Sequence, residues 1–281
     1  MGCVNSEGQF SHWFGNIHLS GPCNRACYFC IGQHMQSLER LNNLGKWPLD
    51  GIDEFIAKCK AKNISEINLT GTNTDPLLFQ NILPLRKYLE AKIPNLKLGL
   101  RTNGALAHVR TMEMAAFDKI SLSIHSFDTF RYRKLMGSGY PPNIVNLIQE
   151  FPKADFKINI VIGPENIADR DIIESLNRIA ETRIKKVNLR EPYGQPHLGD
   201  PMKKWGCQPS GDIFGMPVYS YRGLQVCYWD VHFVEVESVN LYANGVVSET
   251  YPVTKGYDSA EGRVVPQPLW VKSGRQFQQW Q

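Results

Sequence analysis

Short runs in which apolar and polar positions alternate are separated along the chain by longer stretches of helical spacing. Asn16 to Leu19, Glu66 to Leu69, Leu96 to Leu100, Ile120 to Ile124, Phe156 to Ile162 and Lys186 to Leu189 have the composition and period of strands. Between them, Ile52 to Lys60, Phe79 to Glu90 and Asp169 to Ile179 repeat apolar residues every three or four positions, as amphipathic helices do. Strands separated by helices predict parallel βα units, here six of them, and so an α/β fold. From about Asp200 the helical spacing fades and Pro, Gly and aromatic residues rise. There Val231 to Val236 and Ser238 to Tyr242 read as antiparallel strands, and Asn244-Gly245 as a hairpin turn. The pattern divides the chain into residues 1–199, built of βα units, and a β-rich appendage over 200–281 that would cover and shape a pocket.

With 281 residues and 42% hydrophobic content, the chain can bury one full core. Its longest apolar runs, such as Ile158 to Ile162, are far shorter than a membrane span, so a soluble protein with no membrane partner is expected. The net charge of +4 comes without any block of five or six like charges, which argues against a dedicated nucleic-acid arm. Met1-Gly2-Cys3-Val4-Asn5-Ser6 satisfies the loose pattern for N-myristoylation, but a lone cysteine near a flexible terminus explains the same residues. Seven cysteines, an odd number, in a chain of this length with no signal peptide point to reduced thiols and a cytoplasmic setting.

Three of those cysteines change the picture. Cys23, Cys27 and Cys30 lie in one loop, CNRACYFC, directly after the first strand. Three thiolates on one short loop can hold three corners of a cubane [4Fe-4S] cluster and leave the fourth iron open to a ligand, whereas electron-transfer clusters use four cysteines. Zinc is the rival reading. It asks for four ligands, usually in two pairs, and the other thiols, Cys3, Cys59, Cys207 and Cys227, are scattered, although His34 could complete a site.

The spacing of three and then two residues, with Tyr28 and Phe29 before the third cysteine, resembles the signature of the radical SAM family. The resemblance implies a partial (β/α)6 TIM-like barrel, a [4Fe-4S] cluster on Cys23, Cys27 and Cys30, and S-adenosylmethionine on the open iron with Phe29 beside it. In parallel barrels the chemistry gathers at the carboxyl ends of the strands. After the second strand, Thr70 to Leu78 resembles the family's Gly-Gly-Glu-Pro segment, which contacts the methionine amine. The second Gly and the Glu are absent, two residues are extra, and Asp75 precedes Pro76. The amine contact is thus left between the backbone of Gly71, Thr72 and Asn73 and the Asp75 carboxylate, and a helix start explains the same residues. After the third strand, Arg101-Thr102-Asn103-Gly104 is similar to the family's Thr-Asn-Gly, with Asn103 either a ligand or a cap.

Ser121, Ser123 and His125 alternate onto one face of the fourth strand, which aims them into the barrel. The resemblance implies cofactor or substrate contacts at these positions, although this chain has Ile124-His125 where the family commonly reads Ser-Leu-Asp. His125 reads equally as a satisfied core histidine. Asp128 to Gly137 resembles the family segment that carries an aromatic, a basic residue and a closing Met-Gly. By that resemblance Arg133 could steady the cofactor carboxylate, while a solvated basic helix face explains the same residues. Ile162 is the expected adenine contact at the end of the fifth strand, and Leu189 and Arg190 could edge the same cavity.

Downstream, only Cys207 and Cys227 remain, too few for a second cubane, so one cluster is expected. Cys207 is a candidate hydrogen-atom donor or substrate contact, or an inert buried thiol. Trp205, Tyr219, Tyr221, Trp229 and Tyr242 could stack a heteroaromatic substrate or form the core of the appendage. By resemblance, the chain is an enzyme that cleaves S-adenosylmethionine reductively to a 5′-deoxyadenosyl radical. An external donor such as flavodoxin or ferredoxin would supply the electron, and the radical would take hydrogen from a small metabolite or cofactor precursor. Modification of a peptide or RNA, and a non-catalytic iron-sulfur or zinc module, are the alternatives.

Overall fold

A computed structural model of the protein describes residues 13–34, 41–192, 201–213, 216–229 and 237–249, together with the short strands Tyr257–Asp258 and Arg263–Val264. Each expected strand forms within a residue or two of its sequence limits: β1 (Phe14–Leu19), β2 (Glu66–Gly71), β3 (Lys97–Thr102), β4 (Lys119–Ser123), β5 (Asp155–Val161) and β6 (Lys186–Arg190). They pair in parallel in chain order. The helices between them are α1 (Ile52–Ala61), α2 (Ile82–Glu90), α3 (Thr111–Met114), α4 (Thr129–Met136), α5 (Ile144–Glu150) and α6 (Asp169–Ala180). Helix α2 starts three residues later than its spacing predicts, because Pro76–Leu78 forms a separate 3-10 turn and Phe79 leaves it in an extended conformation.

Side-chain parity sorts this sheet into two faces. Ile17, Leu19, Ile67, Leu69, Leu98, Leu100, Ile120, Leu122, Ile158 and Ile160 merge with Phe55, Ile82, Leu85, Leu176 and Ile179 of the helices into one continuous apolar core. The alternate positions are polar in every strand: Asn16 and His18, Asn68 and Thr70, Arg101, Ser121 and Ser123, Lys157 and Asn159, Asn188 and Arg190. The result is an open α/β barrel with an apolar jacket and a polar interior.

Strands between residues 208 and 248 extend both edges of this sheet, while Tyr257–Asp258 and Arg263–Val264 pair with each other in a separate ribbon. β7 (Gln208–Ile213), β8 (Met216–Tyr221) and β9 (Leu224–Trp229) form an antiparallel meander whose last strand lies parallel to β6. β10 (Ser238–Leu241) lies parallel to β1, with β11 (Val247–Ser248) antiparallel beyond it. The hairpin at Asn244-Gly245 forms as expected, with Gly245 at φ 84° and the Asn244 side chain accepting from the Val246 amide. Ser238 to Tyr242 is antiparallel to β11 across that hairpin, as its pattern predicts, while its other edge runs parallel to β1. Period-two alternation is the same in both kinds of strand, so the pattern alone does not choose a partner. Val231 to Val236, the Met1 to Ser6 motif and the side chain of His34 lie outside the described residues. Among the described residues no helix is long and apolar enough to cross a membrane.

Candidate active site

At the carboxyl ends of β1 to β6 a cavity of about 270 Å³ opens, bounded by the three loop thiols on one side and by the polar barrel interior on the other. The cysteine loop is held there by close contacts. Ala26 donates its amide to the carbonyl of Met136 at 3.0 Å, and Gly137, at φ 77°, ends α4 where a Cβ would lie 2.8 Å from both the Cβ and the carbonyl oxygen of Ala26. Only glycine combines that left-handed conformation with that approach. Cys27, Tyr28 and Phe29 pack on Tyr132, Leu135 and Met136, with the Cys27 sulfur 3.4 Å from that of Met136. On the opposite flank, Gly32 approaches the loop after β2 so closely that a Cβ would sit 2.5 Å from the Cβ of Asn73.

The Asp75 carboxylate ties the loops after β2 and β3 together. It accepts from the Leu77 amide at 2.9 Å, the Asn103 amide at 2.7 Å and the Thr102 hydroxyl at 2.9 Å. Burial pushes its pKa up, and those hydrogen bonds work against the rise. Gly71 permits the preceding turn, since a Cβ there would lie 1.7 Å from the Thr74 carbonyl oxygen. Asn73 accepts from the Ser20 hydroxyl at 2.8 Å and the Gly21 amide at 3.1 Å, tying this loop to β1. Asn103 donates at 2.8 Å to Asn24, next to Cys23, and its oxygen caps Ala105. Among the described residues the hydroxyl of buried Thr72 has no hydrogen-bond partner.

Two imidazoles line the cavity, and both are neutral. His125 accepts from the Val161 amide at Nδ1, 2.8 Å away; an amide only donates, so the proton sits on Nε2. Burial, aided by the Arg190 charge, lowers its pKa to about 3, and the ring meets Phe29 edge-on at 4.8 Å. His18 stacks on Tyr242 at 5.0 Å, with Nε2 3.2 Å from Asn240 Oδ1. The Asn240 amide nitrogen donates to Ser238, so its oxygen is the acceptor and the His18 proton lies on Nε2. Burial lowers the His18 pKa to about 4. The two rings thus differ in polarity toward the cavity: His125 Nε2–H is a donor and His18 Nδ1 an acceptor.

Of the residues singled out from sequence, Cys23, Cys27, Cys30, Phe29, Gly71, Thr72, Asn73, Asp75, Asn103, Ser123 and His125 share this cavity. Four do not reach it. Ile162 lies in the apolar core, and Val161, one position earlier and so on the other face, lines the cavity in its place. Arg133 is exposed on α4, donating to the Gly139 carbonyl and stacking on Tyr140. Cys207 is buried in the apolar cluster that holds Met202 and Trp205. Ser121 lies deeper in the barrel, accepting from Asn159. Of the other edge candidates, Arg190 lines the cavity and Leu189 belongs to the core. Trp205 and Tyr219 pack in the core, while Tyr242 acts through His18. His18, Arg25, Arg101 and Asn159 also line the cavity without having been singled out. The alternation applied to β4 finds three of them when it is extended to β1, β3 and β5.

Among the described residues no three His, Cys, Asp or Glu side chains are gathered around a single-ion point. The loop thiols instead stand along one wall. Burial, then the neighbouring Cys30 and Cys23, pushes the Cys27 thiol up to about 12, and burial also raises that of Cys23.

A family model described as the Radical SAM superfamily matches residues 17–176. A GTP 3′,8-cyclase of Lactiplantibacillus plantarum is 24% identical over 199 residues, covering 69% of this chain and 57% of that protein. One of Rhizobium etli is 26% identical over 186 residues, covering 64% and 52%. The chain spans about half the length of these curated relatives. Among solved structures, Streptococcus suis SuiB bound to S-adenosylmethionine shares the fold with a TM-score of 0.56 at 14% identity, over 93% of this chain and 66% of that one. SuiB bound to the precursor peptide SuiA gives 0.58 at 15% identity, over 92% and 66%. With more than half of its residues matched by the family model, the chain belongs to the Radical SAM superfamily of enzymes.

Proposed function

We propose that this chain holds a [4Fe-4S] cluster through Cys23, Cys27 and Cys30, binds S-adenosylmethionine in the adjoining cavity, and performs radical chemistry on a small molecule. The observation that carries the proposal is that the three thiols and the polar ends of β1 to β6 share one cavity. When bound, the reduced cluster and S-adenosylmethionine together supply a 5′-deoxyadenosyl radical that takes a hydrogen atom from the substrate.

The protein's own part is to position and to exclude water. Asp75 fixes the β2 and β3 loops against each other, so that the backbone of Gly71 to Asn73, rather than a carboxylate already engaged by three donors, faces the cofactor amine. His125 offers a fixed N–H donor and His18 a fixed acceptor, and neither takes up a proton near neutral pH. Phe29 and Val161 supply the apolar wall. β10 sets the His18 tautomer through Asn240, and Tyr242, directly after it, fixes the ring, so that this edge of the sheet helps to close the site. The electron comes from an external donor such as flavodoxin or ferredoxin.

The cavity, at about 270 Å³, lies just below the roughly 300–1,000 Å³ usual for small-molecule sites, which favours a small substrate over a polymer. A small substrate also agrees with relatives named as GTP cyclases. Because the chain spans about half their length, their particular substrate is not carried over. Anaerobic reconstitution tests the reading. The full chain is expected to take up about four irons with sulfide, and the electron paramagnetic resonance of the reduced cluster should change on adding S-adenosylmethionine. A fully loaded cluster whose spectrum ignores S-adenosylmethionine would contradict it.

A further inference from the structure

Helix α4 buries one face against the cysteine loop and leaves the other in water. Tyr132, Leu135 and Met136 pack on Cys27, Tyr28 and Phe29, so Phe130, Arg133, Lys134 and Gly137, at helical spacing, fall on the outer face and are exposed. That face runs onto the loop itself. Gly137 abuts Ala26, which is also exposed, and the next turn rests on Arg25, where a Cβ on Gly139 would lie 2.5 Å from the guanidinium. The Cys27 sulfur is 3.4 Å from that of Met136 in the same helix.

Two large rings stand open on this face, Phe130 at 67% exposure and Tyr140 at 66%. Lys134 Nζ lies 4.7 Å from the Phe130 ring, and the Arg133 guanidinium 4.4 Å from that of Tyr140. Among the described residues, Arg133 and Lys134 contact these rings and the Gly139 carbonyl, and neither pairs with a carboxylate. The carboxylates nearby are engaged: Asp128 with the Arg131 amide, Asp171 with the Arg131 guanidinium at 3.0 Å, and Glu165 with the Tyr28 hydroxyl at 2.7 Å. The helix dipole accounts for cations in a last turn, but not for two rings left in water beside them. Exposed aromatics next to cations without counter-charges are the composition of an interaction surface.

We propose that the outer face of α4, with Tyr140, is the docking surface for an acidic electron-carrier protein. The inference rests on the reading of Cys23, Cys27 and Cys30 as cluster ligands, and names where the electron enters. Charge complementarity selects the partner: the two cations call for an acidic surface, and the rings supply the apolar contact of a small transient interface. A carrier seated there faces the thiols across one helix and the seam between Gly137 and Ala26. The step is the transfer of one electron, which oxidises the carrier and reduces the cluster, with no bond formed or broken.

The test uses flavodoxin as the acidic carrier and dithionite as a small reductant that needs no docking surface. Titration calorimetry of oxidised flavodoxin with the full chain, before and after reconstitution, should show binding that weakens as salt rises toward about 1 M. The double variant Arg133→Glu/Lys134→Glu should weaken it by roughly tenfold or more, and Phe130→Ala/Tyr140→Ala should weaken it too. Formation of 5′-deoxyadenosine driven by reduced flavodoxin should fall in both variants, while formation driven by dithionite stays at the wild-type yield and shows that they fold. Lys153→Glu, the same charge change at the exposed residue before β5, at the other end of the barrel, should alter neither. Equal flavodoxin affinity in wild type and the charge-reversed variant, or no binding by the wild type, overturns the surface. So does a charge-reversed variant that loses binding to phosphatidylglycerol vesicles but keeps its flavodoxin-driven yield, which assigns the face to a lipid surface. Dithionite-driven cleavage without flavodoxin binding sinks the docking surface alone. Flavodoxin binding that depends on Arg133 and Lys134, in a chain that cleaves no cofactor with either reductant, sinks the radical reading and leaves the surface standing.

Discussion

Replacing Asp75 by asparagine separates two roles that look alike in sequence. The carboxylate Oδ1 accepts from the Leu77 amide, Oδ2 accepts from the Asn103 amide, and the Thr102 hydroxyl lies 2.9 Å from both oxygens. Whichever way the new amide is turned, its NH2 faces one of the two backbone N–H groups, while the Thr102 hydroxyl keeps the remaining oxygen. One buried donor therefore loses a charge-assisted bond and meets another donor, at a cost of about 2–3 kcal/mol. Burial already pushes the Asp75 pKa up, so removing the charge returns part of that cost, and the net loss is about 2 kcal/mol. Urea unfolding of the full chain, wild type against Asp75→Asn, reads it directly. A carboxylate that served only to bind the cofactor amine would leave the urea midpoint unchanged and weaken S-adenosylmethionine binding alone. That result would refute the structural role assigned here.

Gly137→Ala places a Cβ 2.8 Å from Ala26 at a left-handed φ, and should cost at least about 1 kcal/mol of stability and reduce iron retention after reconstitution, measured per chain. Ile162→Ala is expected to lower stability by about 2–4 kcal/mol without changing the affinity for S-adenosylmethionine, whereas Val161→Ala should weaken that affinity with a smaller stability cost. Titration calorimetry alongside urea unfolding distinguishes them. Acid stability follows from the two neutral imidazoles, whose pKa values fall from 6.5 to about 4 at His18 and about 3 at His125. Across that window the unfolded chain binds protons that the folded one does not, so stability falls as pH drops below 6.5, by about 2 kcal/mol per imidazole at about pH 5. Urea midpoints at neutral pH and at about pH 5 should show the loss, and His125→Gln should remove its share.

The six parallel strands and the cysteine loop were legible because each rests on a local signal: apolar alternation bounded by turns, and three thiols at fixed spacing. The hub role of Asp75 was half legible, since Asp before Pro marks a capped turn, but the reach to Thr102 and Asn103 depends on the β2 to β3 register. Ile162 was misplaced by one position: both Val161 and Ile162 are apolar, and only the sheet shows which faces the cavity. Arg133 was drawn in by a family segment whose Met136 and Gly137 do meet the cysteine loop, while the arginine, on the far side of the helical turn, faces solvent. The parallel pairing of β10 with β1, and with it the orientation of His18, joins residues more than 200 positions apart. No local pattern carries such a pairing.

The central claim is tested most directly by product analysis. The anaerobically reconstituted full chain is reduced in the presence of S-adenosylmethionine, and 5′-deoxyadenosine is quantified for wild type and for Cys27→Ala. The account expects 5′-deoxyadenosine from the wild type and none above background from the variant. No product from a wild-type chain with a fully assembled cluster, or equal product from both proteins, would contradict it.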